Sequence, residues 1–468
     1  MNRNRVNDLS VPEGDRLRAG APFAGRMRRM TEPPVGPAAW VLAVRMGYGH
    51  QRTAHPLRGL APGGEVLFAD DYPGIPDRDK AVWRRTRRLY DLISNVQQVP
   101  VVGNAAFSAF DVLQRILRFY PRRDLSHPDW NVRALYGMIR RGWGRDLIDR
   151  LRAHSPVLPI VTSFFTPAFM AEHFDYPGDI YCIVCDADIA RAWAPLAPRA
   201  SRIKYFAPTR RAAERLRLYG VPADHVVLTG YPLPEENIGG PDFAVLRHDL
   251  ADRIVTLDPQ RRYLERYEPL VANKVGRLPA GPTRPLTILF SFGGAGAQKD
   301  IAAMLIRGLK PRIQKGEVRL VISAGVKPEV RDYAFHAAEE CGLPVDGTGV
   351  DVLFEEKIAA YFERFNLALR TTDILWTKPS ELSFYSALGL PIVLAPPLGS
   401  QEWANQEWLL RLGAGTRQED VRYVDEWLFD LVESGWFAEA AVEGFVEGTA
   451  AGSLEIRAVL EAKGVGSN

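Results

Sequence analysis

Residues 372–405 read TDILWTKPSELSFYSALGLPIVLAPPLGSQEWAN, and their pattern determines the fold class that the sequence predicts. The apolar run at 374–376 predicts a buried strand, and Ser380 shortly after it is a good N-cap for a helix. Apolar residues then recur at helical spacing as far as Gly389, which is suited to end a helix. A second apolar run follows at 391–395, so the stretch predicts the βαβ unit of a parallel sheet.

A cation stands at the end of the first of these strands. Lys378 follows the strand directly, and the helix start at Ser380 offers free backbone N–H groups. Open α/β sheets bind ligands beyond the carboxyl ends of their strands, and a helix N-terminus favours an anion. We therefore expect an anion to bind at Lys378 and Ser380.

The composition excludes several classes of protein. A chain of 468 residues is too long for one ordinary core, so two domains are expected. The apolar fraction of 46% and the charged fraction of 25% are typical of soluble globular proteins, and the net charge of +3 argues against a general nucleic-acid binder. Three cysteines indicate a reducing compartment. The sequence contains no run of about 18 or more apolar residues, so it predicts no membrane-spanning helix. We expect a cytoplasmic protein.

A glycine-containing turn follows the first predicted strand at 39–44. Gly47 and Gly49, with Tyr48 between them, allow the backbone to turn sharply and to approach a ligand. His50 would then open a helix and point into the crevice at the strand end. The alternative is a plain strand-to-helix turn with a surface histidine, and this short motif does not decide between the two.

Two cysteines lie in the predicted strand at 180–185, and two aspartates follow it. Cys182 and Cys185 have the spacing of a metal or redox pair, but on a strand they point to opposite faces, so neither role is expected. Asp186 and Asp188 could form a metal-binding diacid, or one could face the cleft while the other is solvated. We prefer the second interpretation and expect no metal.

Residues 78–123 differ in character, because arginines and aromatic residues alternate there on predicted helices. One hypothesis is a surface that meets an anionic membrane or a lipid-like acceptor, so that the protein lies peripherally on the inner face of the membrane. The alternative is a helical insertion that packs on the sheet with solvated arginines.

A second alternation of strands and helices begins at 286. Its first strand runs into a glycine-rich turn at 291–298, and such a turn presents backbone N–H groups to phosphate. The P-loop motif and the dinucleotide-binding motif are both missing from it. Further on, Gln401 and Asn405 lie four residues apart, on one face of a predicted helix.

These stretches together resemble the GT-B glycosyltransferases, and most closely the branch that contains MurG and the diacylglycerol glycosyltransferases such as monogalactosyldiacylglycerol synthase. Each motif is loose, but their order along 40–415 is specific. The matching segments are the Gly-Tyr-Gly-His50-x-x-x-Ala54 loop, the segment 180–193, the Tyr-Phe-Ala-Pro segment at 205–208, the Val-Leu-Thr-Gly-Tyr-Pro segment at 227–232, the glycine-rich loop at 291–298, the Thr-Lys-Pro-Ser segment at 377–380, the Gly-Leu-Pro segment at 389–391 and the segment 401–405.

The resemblance implies a fold, a reaction and roles for residues. It implies an α/β chain of two Rossmann-like domains that face each other across a cleft. It also implies a metal-independent hexosyltransferase that needs no cofactor and moves a sugar from a nucleotide-diphosphate sugar, with a UDP-sugar as the leading candidate, to an acceptor hydroxyl that could be lipid-linked. His50 would be the catalytic base. The implied donor-binding residues are Gly293, Gly294, Ala295, Gly296, Lys378, Ser380, Glu381, Gln401 and Asn405, and the implied acceptor-side residues are Gly47, Tyr48, Gly49 and Asp186.

Two departures from the family pattern leave alternatives open. Phe384 stands where the family has a glutamate that grips the ribose, and the nearest carboxylate is Glu381, one turn earlier. The pair Ser380-Glu381 also replaces a usual pair of glycines. A nucleotide-sugar-binding protein without transferase activity and a 2-epimerase-like enzyme therefore remain alternatives.

The resemblance and the alternation of predicted strands and helices also imply the domain organisation of the chain. The expected parts are a disordered basic tail at 1–36, an N-terminal Rossmann-like acceptor domain at 37–235 with the insertion at 78–123, an interdomain connection at 236–283, a C-terminal Rossmann-like nucleotide-sugar domain at 284–435, and a C-terminal helix at 436–468 that could cross back to the first domain.

Overall fold

The structure is a computed structural model that describes residues 39–96, 115–291 and 299–464. The predicted tail and the middle of the predicted insertion therefore lie outside the described residues. Two six-stranded sheets form the framework, and every pair of neighbouring strands in them is parallel. Helices separate consecutive strands in both halves of the chain.

The first sheet has the strand order β2-β1-β3-β4-β5-β6. The chain reverses its direction of growth between β1 and β3, so a crevice is expected beyond the carboxyl ends of these two strands. The strands are β1 (Trp40–Ala43), β2 (Leu67–Phe68), β3 (Ile160–Thr162), β4 (Ile180–Ile183), β5 (Lys204–Ala207) and β6 (Val226–Leu228).

The second sheet has the order β12-β11-β10-β7-β8-β9. This is the strand order of a dinucleotide-binding Rossmann domain, and its reversal lies between β7 and β10. The strands are β7 (Leu286–Ser291), β8 (Val318–Gly325), β9 (Val350–Phe354), β10 (Ile374–Thr377), β11 (Ile392–Leu394) and β12 (Gly415–Arg417).

Sixteen helices of α type occur in the described parts of the chain. They cover the faces of the two sheets, whose central strands are buried apolar runs, as parallel sheets require. The helices are α1 (Tyr48–Ala54), α2 (Asp77–Val96), α3 (Trp130–Arg140), α4 (Arg145–Arg152), α5 (Phe165–His173), α6 (Arg210–Leu218), α7 (Glu235–Ile238), α8 (Ala244–Leu257), α9 (Leu264–Val275), α10 (Lys299–Gln314), α11 (Pro328–Glu340), α12 (Ile358–Leu369), α13 (Ser400–Leu412), α14 (Val424–Glu433), α15 (Trp436–Glu447) and α16 (Gly452–Gly464).

The βαβ unit predicted from 372–405 is present, with one difference in its helix. Ser380 is the N-cap, as predicted, since its hydroxyl accepts a hydrogen bond from the backbone N–H of Leu382 at 3.4 Å. The helix between the strands, Glu381–Leu388, is a 3₁₀ helix and ends at Gly389, whose φ of 66° is left-handed. Its side chains are buried along the whole length, so packing from every side, rather than one apolar face, sets its geometry.

The carboxyl ends of the two sheets face each other. Tyr48, which follows β1, accepts a hydrogen bond from the backbone N–H of Val326, which follows β8, at 3.2 Å. The predicted fold class, two Rossmann-like domains across a cleft as in GT-B proteins, is confirmed. The last helix, α16, returns to the first sheet, where Ile456 and Leu460 join the small core around Val41.

Arg253 fastens α8 to the second sheet. This side chain is buried, and its guanidinium donates hydrogen bonds to the backbone oxygens of Thr372 at 2.7 Å and Leu369 at 3.2 Å. It also donates to those of Leu388 at 2.9 Å and Gly389 at 3.1 Å, at the end of the 3₁₀ helix. One planar cation thus satisfies four carbonyl groups at the ends of two helices.

We expect Arg253→Ala to lower the free energy of unfolding by about 3 kcal/mol or more, because four buried carbonyl oxygens each lose a charged hydrogen-bond donor. Urea denaturation measures the change. Arg247→Ala on the exposed face of the same helix is the control, and it should change stability by less than about 0.5 kcal/mol. Equal effects of the two substitutions would contradict this role of Arg253.

Candidate active site

The glycine turn after β1 carries His50 to the cleft. Gly47 has a φ of 85°, which allows the chain to turn directly from the strand into α1. The helix begins at Tyr48, so His50 lies in its first turn. Ser163 directly follows β3, and both residues therefore lie at the point where the first sheet reverses its direction of growth.

The contacts of His50 determine its tautomer. Its Nδ1 lies 2.9 Å from the backbone oxygen of Ser163, and a carbonyl oxygen can only accept, so Nδ1 carries the hydrogen. Nε2 then has a free lone pair, and it has no hydrogen-bond partner within the described parts of the chain. The ring packs edge-on against Phe164 at 4.7 Å. Burial lowers the pKa of His50 to about 4, so the ring is neutral at physiological pH.

Asp186 and Asn405 meet across the cleft. The side-chain amide of Asn405 donates to Asp186 Oδ1 at 3.0 Å, and its oxygen accepts from the backbone N–H of Ala187 at 2.7 Å. Cys185 lies between this pair and the histidine, with its Sγ 3.4 Å from His50 Nδ1. Burial, with a smaller contribution from the nearby Glu381, raises the pKa of Asp186 to about 6, although the hydrogen bond from Asn405 lowers it.

Asp188 has a structural role instead. Its two carboxylate oxygens each accept from the guanidinium of Arg215 at 2.8 Å, and both residues are buried. The interpretation that Asp188 is solvated is therefore wrong. The bidentate pair holds the loop after β4 and leaves Asp186 as the carboxylate of this loop that faces the cleft.

Lys378 lies at the end of β10, where the second sheet reverses its direction. Its ammonium group forms an ion pair with Glu402 in the first turn of α13. The other oxygen of Glu402 accepts from the backbone N–H of Leu398 at 2.7 Å. Gln401, the neighbouring residue, is half-buried, whereas Asn405 one turn later is fully buried.

Glu381 does not face open space. Its Oε1 lies 3.2 Å from the Nε of Arg52, a residue of α1, and the two residues are 9% and 2% exposed. The guanidinium of Arg52 also lies over the rings of Phe365 at 4.3 Å and Phe362 at 4.8 Å. A buried ion pair in an aromatic surrounding therefore connects the two domains directly behind His50.

This ion pair also explains a requirement for glycine. A Cβ atom on Gly49 would lie 3.0 Å from Glu381 Oε2, so a larger residue would press on the carboxylate that Arg52 holds. Gly49 thus allows the first turn of α1 to approach the second domain closely.

Phe384, where the sequence resemblance would place a ribose-binding glutamate, contributes to the same contact between the domains. Its ring stacks on that of Tyr231 with centroids 4.9 Å apart and an interplanar angle of 13°, and it also packs against Trp408. The hydroxyl of Tyr231 lies 3.0 Å from that of Thr53 in α1. The aromatic side chain at 384 is therefore used for packing between the two halves.

The structure brings most of the predicted site residues together. Gly47, Tyr48, Gly49, His50 and Asp186 line the first-domain side of the cleft, and Lys378, Ser380, Glu381, Gln401 and Asn405 belong to the facing elements of the second. The predicted loop residues Gly293, Gly294, Ala295 and Gly296 lie outside the described residues. The sequence analysis missed Arg52 and Glu402, because a single charged residue in a helix carries no signal of its partner in the other domain.

Two further features of the described residues concern metal-ligating side chains and the length and apolar character of the helices. Within 39–96, 115–291 and 299–464, no three histidine, cysteine, aspartate or glutamate side chains are grouped so that they could hold a metal ion. In the same ranges, none of the helices has the length and apolar character needed to cross a membrane.

Comparison with known proteins adds one family match and several solved structures. The model of a family described as a domain of unknown function (DUF6938) matches residues 271–341. No curated protein sequence matches. Solved structures that resemble this chain include a UDP-GlcNAc 2-epimerase from Neisseria meningitidis bound to UDP-GlcNAc, with 14% identity, a TM-score of 0.43 and coverage of 72% of this chain and 84% of that one.

Two other solved structures resemble this chain with similar sequence identity and TM-score. MurG from Acinetobacter baumannii has 13% identity and a TM-score of 0.40, covering 71% of this chain and 78% of that one. Alr3699/HepE from Anabaena, in complex with UDP and glucose, has 12% identity and a TM-score of 0.38, covering 72% and 84%.

The ion pair between Arg52 and Glu381 should be tested by removing one charge and then both. Arg52→Met leaves a buried carboxylate without its cation, so we expect the free energy of unfolding to fall by about 3–5 kcal/mol. The double variant Arg52→Met/Glu381→Gln leaves no buried charge and should recover most of this loss in urea denaturation. If the double variant were as unstable as the single one, packing rather than charge would explain the contact.

Proposed function

We propose that this protein is a metal-independent glycosyltransferase that moves a hexose from a nucleotide-diphosphate sugar, foremost a UDP-sugar, to an acceptor hydroxyl. The observation that carries the proposal is the state of His50. Its Nδ1 is engaged by the oxygen of Ser163, so a neutral ring offers its basic Nε2 at the crevice between β1 and β3. The motif resemblance along 40–415 supports the same reaction.

In the proposed reaction, the acceptor oxygen attacks the anomeric carbon of the donor sugar. A carbon–oxygen bond forms, the bond between the anomeric carbon and the diphosphate breaks, and the diphosphate leaves with the electron pair. The hydroxyl proton passes to Nε2 of His50, and the oxygen of Ser163 stabilises the ring through Nδ1–H. A pKa of about 4 keeps the ring neutral but makes it a weak base.

Lys378 is the proposed partner of the diphosphate. It lies beyond the carboxyl end of β10, next to the reversal of the second sheet, and the helix start at Ser380 follows it. Because Glu402 now pairs with Lys378, a bound diphosphate would take the place of that carboxylate. The cation and the backbone N–H groups would then stabilise the leaving group.

One observation favours a second candidate function, a 2-epimerase-like reaction on the nucleotide-sugar alone. Two further carboxylates lie near Asp186 in the cleft, since Glu381 and Glu402 both raise the pKa of Asp186. Such groups can remove and return a proton on a sugar carbon. The two reactions differ in whether an acceptor is consumed.

The first experiment is thermal unfolding with UDP, GDP, ADP, CDP and dTDP. A diphosphate at a hundred times its dissociation constant should stabilise the wild type by roughly 2.7 kcal/mol. We expect Lys378→Ala to lose this stabilisation. His50→Ala should keep it but turn over the matching nucleotide-sugar about 10²–10⁴-fold more slowly, because the proton acceptor is missing.

The other outcomes of this experiment are equally informative. If no diphosphate stabilises the wild type, the proposal fails and a scaffold without catalysis is favoured. If NMR shows that the sugar is inverted at C2 without any acceptor and that the product is still a nucleotide-sugar, the epimerase-like reaction is correct. If His50→Ala turns over as fast as the wild type, His50 is not the base.

We further propose that the acceptor is presented at an anionic membrane surface. The exposed arginines of α2 and two exposed aromatic residues, Trp130 at 72% and Tyr120 at 64%, support this proposal. Cationic and aromatic side chains together suit the headgroup region of an anionic bilayer. The exposed arginines of α2 are Arg84, Arg85, Arg87 and Arg88.

Flotation with vesicles that contain anionic lipid tests this surface. We expect the wild type to float at low salt, and Arg84→Glu/Arg85→Glu to float several-fold less, because the attraction is reversed locally. Arg247→Glu/Arg277→Glu changes the net charge equally on other exposed residues and should float like the wild type. Wild-type protein that stays unbound would favour an acceptor free in solution.

A further inference from the structure

Asn405 contacts the first domain through both ends of its side-chain amide. The resemblance implies that this residue faces the donor sugar, but its side chain is fully buried. Its oxygen accepts from Ala187 N–H and its nitrogen donates to Asp186 Oδ1. Both ends of the amide are therefore occupied by the loop after β4, and a sugar would have to compete with them.

Asp186 is held in place but not fully engaged. One oxygen is bonded by Asn405, and the residue itself is half-buried. The other oxygen, Oδ2, has near it only the weak thiol donor of Cys185 at 3.9 Å among the described contacts. The same thiol lies 3.4 Å from Nδ1 of His50, so Asp186 and His50 flank it on two sides.

We propose that Asp186 is a second proton-accepting group for the acceptor hydroxyl, and that Asn405 is the positioning residue that holds it beside His50 from the opposite domain. This inference rests on the proposed transferase function. It replaces the role of Asn405 as a sugar ligand, and it explains why an amide of the donor-side helix α13 bonds to the acceptor-side loop.

The chemistry balances with either proton acceptor. The acceptor oxygen bonds to the anomeric carbon, the diphosphate leaves with the electron pair, and the hydroxyl proton ends on Asp186 or on His50. With a pKa of about 6, the carboxylate is ionised at neutral pH and is a stronger base than the ring, whose pKa is about 4. A carboxylate beside the ring thus supplies the basicity that burial removes from His50.

The protonation of Asp186 depends on groups from both domains. Burial raises its pKa, the hydrogen bond from Asn405 lowers it, Glu381 and Glu402 raise it, and Lys378 lowers it. From the first domain, Cys185 lies next to it as a thiol whose pKa burial raises, and the neutral His50 lies on the other side of that thiol. Asn405 therefore favours the ionised carboxylate that the reaction requires.

The decisive experiment exchanges the two side chains. Asn405→Asp places two carboxyl groups against each other, and Asp186→Asn removes the carboxylate. The double variant Asp186→Asn/Asn405→Asp restores an amide–carboxylate hydrogen bond with the partners reversed. We expect this exchange to return the thermal midpoint to within a few degrees of the wild type, while turnover stays at least tenfold lower. Recovery of turnover together with stability would overturn the inference.

A second measurement does not depend on turnover. Because the pKa of Asp186 is raised on folding, from 3.8 to about 6, its stabilising contribution is present at low pH and is lost as the pH rises between these values. The difference in stability between the wild type and Asp186→Asn, followed against pH, reports this step. His50 is present in both proteins, so its opposite dependence cancels from the difference.

Asn405→Ala and its control complete the test. The pKa of Asp186 should move upward when the bond from Asn405 is lost, shifting both this step and the acid limb of turnover to higher pH. Asn237→Ala removes another buried amide between the halves, one that donates to the backbone oxygen of Asn366 at 2.8 Å, and should cost stability without moving either curve. An unchanged curve in Asn405→Ala overturns the inference. A wild type without turnover overturns the proposed function, and the stability curves still test Asn405.

Discussion

A buried ion pair between Arg52 and Glu381 is the contact on which the arrangement of the two domains depends. Charges taken out of water destabilise a protein unless each has a partner, and these partners come from different domains. Either half alone would leave a buried charge uncompensated or return it to water. The rings of Phe362 and Phe365 surround the cation, so the closed arrangement also provides its packing.

This constraint shapes the site next to it. Arg52 lies in α1 two residues after His50, so the ion pair also fixes the helix that carries the imidazole. Lys378–Glu402 and Asp186–Asn405 are further polar contacts at the same cleft. Arg52, Lys378 and Asp186 thus each already have a partner within the described residues, and the proposed anionic ligand would enter by exchanging partners.

The hydrophobic pattern of the sequence predicted most strands of the two sheets, and particular elements show which features it did not predict. Buried strands such as β7 and β10 were recognisable as short apolar runs, and the cap at Ser380 followed from residue type alone. The strand β12 has only three residues, Gly415–Arg417, and its pattern is not that of a strand. The helix at 381–388 was placed correctly, but its 3₁₀ geometry follows from burial on all sides, which sequence spacing does not reveal.

For the site, the local sequence determined which chemical groups follow the strands. Parallel strands bring their carboxyl ends to one edge of the sheet, whatever the path of the connecting loops. The local sequence therefore placed His50, Asp186 and Lys378 at the cleft. The tertiary structure alone decided their partners. Glu381 meets Arg52 across 329 positions of the chain, and Asn405 meets Asp186 across 219. Such pairs follow from how the two sheets and their helices pack together, and hydrophobic periodicity carries no information about contacts of that kind.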